Sequence, residues 1–285
     1  EYILQSTGKY LPVFGADLFG RVPSTFAPTN NIPVTPEYTI GPGDEVQIRA
    51  WGQVEIDYVA TVDRTGAISL PRVGIVSLAG VRYQDLSNVL KAAVGRIFRG
   101  FEISATLGRL RSIQVLVVGQ AKRPGTYTLS SLSTLVTALF ATGGPASTGS
   151  LRSIQLRRAG KVISELDVYN LLMSGDKSSD VQMLPGDIIY IPPIGDLAAV
   201  AGDVKNPAVY ELKGNATLSD LINMAGGLQT TADGTMVNVE RIDSRRTRSV
   251  EQVSLDPSGK AHAIKDGDFV TVNSISPRYS NAVTL

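Results

Sequence analysis

Cysteine is absent from the 285 residues, which excludes a disulfide framework, a thiolate site and a lipidated cysteine within this sequence. Histidine occurs once, at His262, so one chain cannot assemble a histidine metal cage or a Ser-His-Asp triad. An excess of charge is also missing. Lys+Arg 27 against Asp+Glu 26 leaves +1, and no global field steers the chain to nucleic acid or to an anionic membrane. No apolar run approaches the ~20 residues that a membrane-spanning helix requires, and no charged leader with an apolar core opens the chain. The expectation is a water-soluble protein, or a trimmed piece of a larger one. What is present is 43% hydrophobic residues with 28 Gly and 15 Pro, the mark of a globular, turn-rich protein that contains β-structure.

The most informative stretch is Val117 to Tyr127, because it is repeated as Val200 to Tyr210. Gly119 pairs with Gly202, Pro124 with Pro207 and Tyr127 with Tyr210, and the same spacing continues through Leu129/Leu212, Thr134/Thr217, Gly143-Gly144/Gly226-Gly227 and Arg158/Arg241. A fixed internal spacing means that one supersecondary unit has been copied, so the fold is read per repeat.

Each copy opens with a β-branched run that stops at Gly119 or Gly202 and enters a Lys-x-Pro turn. A second short strand follows. Then Leu135, Ala138 and Leu139, or Leu218, Leu221 and Ile222, fall on one helix face. The Gly-Gly pair ends that helix, because glycine takes the left-handed conformation without a Cβ clash. A hairpin comes next (Ile154 to Leu166; Val237 to Val253), and Gly186-Asp187 or Gly267-Asp268 opens a last apolar strand. The expected order is ββαβββ, one helix on a small mixed sheet, and a β-grasp-like unit is the simplest fit.

Upstream of the repeats, residues 1–37 carry five prolines and no periodicity. They read as an extended arm, with Phe14, Leu18 and Phe19 as pegs that dock on a later domain. Tyr38 to Gly52 begins an ordered domain with a Pro-Gly turn and an alternating strand, Val46, Ile48 and Ala50 facing one way. Tyr58 to Asp63 and Ala67 to Pro71 read as a hairpin, Val73 to Leu78 as a further strand, Tyr83 to Phe98 as a helix and Phe101 to Leu107 as a strand. The fold class is α+β: three small domains in series after the arm, at 38–111, 112–194 and 195–276. Residues 277–285 stand where a third repeat would begin, which predicts a fragment that continues beyond Leu285.

No constellation for chemistry emerges. Asp44, Asp187 and Asp268 follow glycine, where the carboxylate serves as a turn cap. The loop Ala141 to Gly149 follows a helix and lacks the Gly-Lys-Ser/Thr ending of a phosphate loop. Arg157, Arg158 and Lys161, with Arg245, Arg246 and Arg248, form basic hairpins that read as solvated; anionic sugar or nucleic acid is the alternative occupant. Trp51 has the chemistry to stack on a sugar ring, although a lone tryptophan ending a strand is more often core or interface. His262 reads as a solvated loop residue. Catalytic, cofactor and metal residues are expected to be none.

Tyr-x-Ile-Gly-Pro-Gly-Asp-x-Val-x-Ile at 38–48, Asp-Arg-x-Gly-x-Ile-x-Leu-Pro at 63–71 and the paired Gly-x-x-Lys-x-Pro turns resemble the outer-membrane polysaccharide export family. Residues 38–111 resemble its polysaccharide-export domain, and the two repeats resemble its soluble-ligand-binding β-grasp (SLBB) domains. Phe14 to Phe19 resembles the lead segment of longer members. Many members carry an N-terminal lipidated cysteine and a C-terminal amphipathic helix, neither of which this sequence shows. The resemblance implies a ring-forming periplasmic conduit at the outer membrane that passes capsular or exopolysaccharide without catalysis. Its inner-membrane partner would be a copolymerase or autokinase, or an ATP-driven exporter component. A free-standing ligand-binding or polysaccharide-binding module is the alternative.

Overall fold

In the computed structural model of the chain, residues 10–20, 34–243 and 246–275 are described. The first unit is built on a three-stranded antiparallel sheet, β2 (Ile56–Thr61), β1 (Glu45–Gly52) and β5 (Phe101–Leu107), with β1 in the centre. Strict alternation buries Val46, Ile48 and Ala50, as their period of two requires. Helix α1 (Leu86–Val94) packs Leu86, Leu90 and Val94 onto that face, and the hairpin β3 (Ala67–Leu70) with β4 (Gly74–Ser77) closes the core.

Two expectations are corrected in this unit. The segment 58–63 does not pair with 67–71: β2 pairs with β1, and β3 pairs with β4. The turn between them is real. Asp63 accepts from the Thr65 and Ala67 amides and the Thr65 hydroxyl, which holds its carboxyl below the usual range. That turn redirects the chain to a second sheet. The expected helix over 83–98 is a 3₁₀ turn at Tyr83–Asp85 followed by α1, and Ile97 lies 55% exposed beyond its end.

The repeats fold alike. Repeat one is a five-stranded sheet in the order β7 (Gly125–Ser130), β6 (Ser112–Gly119), β10 (Ile188–Ile191), β8 (Ile154–Arg158), β9 (Lys161–Leu166). Repeat two has β12 (Ala208–Glu211), β11 (Leu197–Gly202), β15 (Phe269–Ser274), β13 (Ala232–Asp243), β14 (Thr247–Ser254). In both, first and last strands pair in parallel at the centre and every other pairing is antiparallel. Helices α2 (Leu135–Thr142) and α4 (Leu218–Met224) begin in capping boxes, Thr134 with Thr137 and Thr217 with Asp220. The order differs from expectation by one element. Each repeat has a second helix before its last strand, α3 (Val168–Ser174) and α5 (Pro257–Lys260), giving ββαββαβ.

Gly119 and Gly202 occupy equivalent places at the end of the central parallel pair, at φ +85° and +86°. A Cβ at either would run into the carbonyl oxygen of the neighbouring strand, at Ile191 or Val272, so the position demands glycine twice over. The turn beyond is clasped identically: the Tyr127 hydroxyl donates to the Arg123 carbonyl, and Tyr210 to Asn206, each at 2.7 Å.

Candidate functional site

The three Gly-Asp strand openings are more than turn caps. Asp44, Asp187 and Asp268 are buried to within 1% of full burial, and each is clamped by an arginine from a distant strand or linker. Asp187 accepts from Arg158 Nε at 2.7 Å and Nη2 at 2.8 Å, and from the Leu184 amide. Asp268 accepts from Arg241 Nε at 2.8 Å and Nη2 at 2.6 Å, and from the Lys265 amide. These planar two-point pairs hold the hairpin against the last strand in each repeat. Donating to the Asp187 carboxylate raises the Arg158 pKa further. Arg158, expected to be solvated, is therefore structural, while Arg157 lies over the Tyr190 ring at 4.5 Å. Arg245 lies outside the described residues.

Asp44 differs because its clamp joins two units. It accepts from the Gly41 amide, from the Arg111 amide and Nη1, and from the Tyr38 hydroxyl, which also meets Ser131 Oγ of repeat one at 3.0 Å. Burial pushes the Tyr38 phenol up to about 12, so it stays neutral and able to donate.

A second joint links the repeats. Glu211, 3% exposed, accepts from the Leu151 amide of repeat one at 2.9 Å and the Gly195 amide of the linker at 3.0 Å. Its own amide donates to the Tyr169 hydroxyl, and its carbonyl accepts from Arg152. Arg152 also pairs with Asp167 and lies over the Tyr169 ring at 4.7 Å. The arm seals the joint. Phe14 sits edge-on to Tyr169 at 5.0 Å and against Tyr210 at 5.2 Å, while Phe14 N and Pro12 O bond Val209 on the open edge of β12. Phe19, 5% exposed, packs on Phe140 of α2. Phe14 and Phe19 thus dock where pegs were expected, and Leu18 packs partly buried against the same core.

His262 departs from expectation. Its Nε2 is buried without a hydrogen-bond partner, 3.9 Å from Glu251 Oε2, which is too long to bond. The loop after α2 is the helix stop it was read as, with Gly143 left-handed at φ 90° and Arg123 Nε bonded to the Thr142 carbonyl. Among the described residues no group of three His, Cys, Asp or Glu is placed to hold a metal, and no helix is long and apolar enough to cross a membrane.

Trp51 is the last correction: it is 53% exposed, not core. It stands on the outward face of the β2-β1-β5 sheet, beside a shallow depression of about 380 Å³ lined by Arg49 to Gly52 and Glu55 to Asp57. Arg49 faces Asp57 across the strands at 3.6 Å, and Glu102 opposite Trp51 pairs with Lys91 at 3.0 Å.

Comparison with known proteins agrees with this architecture. A family described as polysaccharide biosynthesis/export protein matches residues 32–108, and SLBB domain families match 113–191 and 197–253. A polysaccharide-export domain followed by tandem SLBB domains defines the class. The polysialic acid transport protein KpsD of Escherichia coli is 31% identical over 203 residues, 70% of this chain and 36% of that protein. The EPS I polysaccharide export outer membrane protein EpsA of Ralstonia solanacearum is 27% identical over 218 residues, 67% of this chain and 58% of that protein. The chain spans about a third of the length of KpsD. It belongs to the outer-membrane polysaccharide export family, with a polysaccharide-export domain and tandem SLBB domains.

Proposed function

We propose that the chain is the periplasmic portion of an outer-membrane polysaccharide exporter, associated with the outer membrane in the full protein. Copies close into a ring whose lumen passes a capsular or exopolysaccharide, with no residue of the chain acting as a catalyst or binding a metal or cofactor. An inner-membrane copolymerase or autokinase, or an ATP-driven exporter component, delivers the polymer. In this reading residues 1–37 are an arm, 38–111 the export domain, and 112–194 and 195–276 the SLBB repeats; the expected further repeat at 277–285 falls outside the described residues.

The observation that supports this best is the pair of buried polar joints, Tyr38-Asp44-Arg111-Ser131 and Arg152-Tyr169-Glu211, which couple three small domains in a fixed series. A conduit needs such stiffness, because heterologous contacts close a ring only if each subunit presents the same geometry. Buried charge that is fully paired suits a scaffold and leaves no carboxylate free for glycosidic chemistry at these joints. Two experiments test the proposal. Deleting the gene should abolish surface polysaccharide while the polymer accumulates inside the cell. Negative-stain microscopy of the full-length product should show closed rings, and a uniformly monomeric product would end the ring reading.

A further inference from the structure

We propose that the outward face of the β2-β1-β5 sheet is a saccharide-contact platform centred on Trp51, taking a neutral pyranose unit of the transported polymer. The inference rests on the exporter reading and names the surface that the polymer touches. Trp51 is 53% exposed although it lies near the end of the central strand, where its backbone pairs with Glu102 of β5. A half-exposed indole offers an apolar face to the C–H face of a sugar while its N–H stays free to donate, the amphipathic use to which exposed tryptophan is suited.

Most neighbours on the same face are polar or charged, with Glu102 directly opposite Trp51, and Val59, 55% exposed, is the apolar exception opposite Gln47. Alternation places Gln47 and Arg49 with Trp51, and register sets Thr106 and Ser104 opposite Gln47 and Arg49 on β5. All four are exposed. Ser104, diagonal to Trp51, and Gln47 with Thr106 further along the same face supply hydroxyl and amide groups that match a hydroxyl-rich ligand. An obligate protein contact would require an apolar, tightly packed centre instead. The depression beside Trp51 falls within the volume range of small-ligand sites, about 300–1,000 Å³.

Charge selects the class of sugar. The depression holds one cation, Arg49, and two carboxylates, Glu55 and Asp57, and Arg49 already faces Asp57. An anionic sugar would have to displace that carboxylate. A neutral one would not. The platform therefore discriminates against acidic units and grips weakly, as a surface that must let a polymer slide requires.

Trp51 is the single tryptophan of the chain, so emission excited selectively at tryptophan, beyond the tyrosine absorption, reports this site alone. The whole chain is titrated with maltohexaose and, separately, with an oligomer of sialic acid. Maltohexaose should change the emission saturably in the millimolar range, and Gln47→Ala and Ser104→Ala should each weaken that response about two- to tenfold, the worth of one neutral hydrogen bond. The sialic acid oligomer should respond more weakly. No saturable change with maltohexaose, or a stronger response to the sialic acid oligomer, overturns the proposal. So does emission that shifts with protein concentration instead of sugar, which would identify a second copy of the chain as the occupant. In cells lacking the gene, Trp51→Tyr should restore export and Trp51→Ala, at equal protein level, should not. Export that is normal in the deletion strain refutes the exporter reading itself. Export lost on deletion but fully restored by Trp51→Ala refutes the platform alone.

Discussion

Removing the guanidinium of Arg241 while leaving Asp268 in place breaks one buried ion pair of repeat two, together with the bond from Nη2 to the Ala263 carbonyl at 2.9 Å. Asp268 is 1% exposed and accepts three bonds, two from Arg241 and one from the Lys265 amide. Arg241→Met preserves the apolar stem, yet it leaves a buried carboxylate with the Lys265 amide as its one donor. Breaking a buried pair in this way costs about 3–5 kcal/mol, because the remaining charge is uncompensated. For a unit the size of one repeat that is a fall in melting temperature of roughly 12–40 °C. Removing both partners, as in Asp268→Asn with Arg241→Met, should recover at least half of the loss, since a neutral amide carries a far smaller desolvation cost. Urea unfolding of the wild type, both single variants and the double variant closes a double-mutant cycle. A loss under about 1 kcal/mol for Arg241→Met, the range of an exposed pair, would refute the claim that this clamp is buried and structural. The same cycle on Arg158 and Asp187 should give the same sign and a similar size.

Gly202→Ala should destabilise by about 2–5 kcal/mol, combining a left-handed backbone with a Cβ driven into the Val272 carbonyl, whereas Gly214→Ala, at φ +64° with open space around it, should lose only the conformational part, about 1–2 kcal/mol. Equal losses in thermal melts would refute the close-approach argument. Phe14→Ala should cost about 2–4 kcal/mol and open the arm to proteolysis between residues 10 and 20, because the ring lies against both Tyr169 and Tyr210; unchanged protease resistance would refute the docking. Burial raises Tyr38 and Tyr210 to about 12 and Tyr169 higher still, against about 10 in an unfolded chain. The neutral phenol is the folded form, so this contribution is intact below pH ~10 and lost as pH rises through the folded values. Near-ultraviolet titration should show these three ionising late, together with unfolding, and ionisation of all tyrosines in one step near pH ~10 would refute it.

Much of the fold was legible because the duplication preserved the residues that hold each unit together. Gly119 and Gly202 stand where the backbone admits no side chain, and the equivalent Tyr127 and Tyr210 close the same turn. Helices α3 and α5 escaped notice because seven and four residues are too few to show a period of 3.6, yet each begins at a visible signal: Asp167 caps α3, and Asp256 with Pro257 opens α5. The Arg-Asp clamps were invisible, since Arg158 and Asp187 lie 29 residues apart and Arg241 and Asp268 lie 27 apart, joined only by strand order. The exposure of Trp51 could have been inferred. In an alternating strand that buries Val46, Ile48 and Ala50, position 51 falls on the other face.

The residues that duplication did not preserve carry the remaining argument. One repeat later Arg152 corresponds to Thr235, and one repeat earlier Glu211 corresponds to Thr128; Tyr169 of α3 corresponds to Ser258 of α5 when the helix caps Asp167 and Asp256 are aligned. Those three build the joint between the repeats, and Tyr38, Asp44 and Arg111 build the joint to the export domain. Residues shared between copies therefore stabilise each unit from within, and residues that broke the symmetry fix how the units meet. Tyr210 bridges both classes: its hydroxyl closes the turn of repeat two at Asn206, while its ring faces Phe14 and Tyr169. Tyr210→Phe should then loosen only the turn, a loss of about 0.5–1.5 kcal/mol in repeat two with the joint intact. Glu211→Ala should leave each repeat folded but unpair the Leu151 and Gly195 amides, each a buried donor worth about 1–3 kcal/mol when unsatisfied. Hydrogen exchange separates the two outcomes. Glu211→Ala should speed exchange at Leu151 and Gly195 while β6, β10, β11 and β15 stay protected, and loss of protection across the whole of repeat two would show that Glu211 holds the unit itself and not the joint.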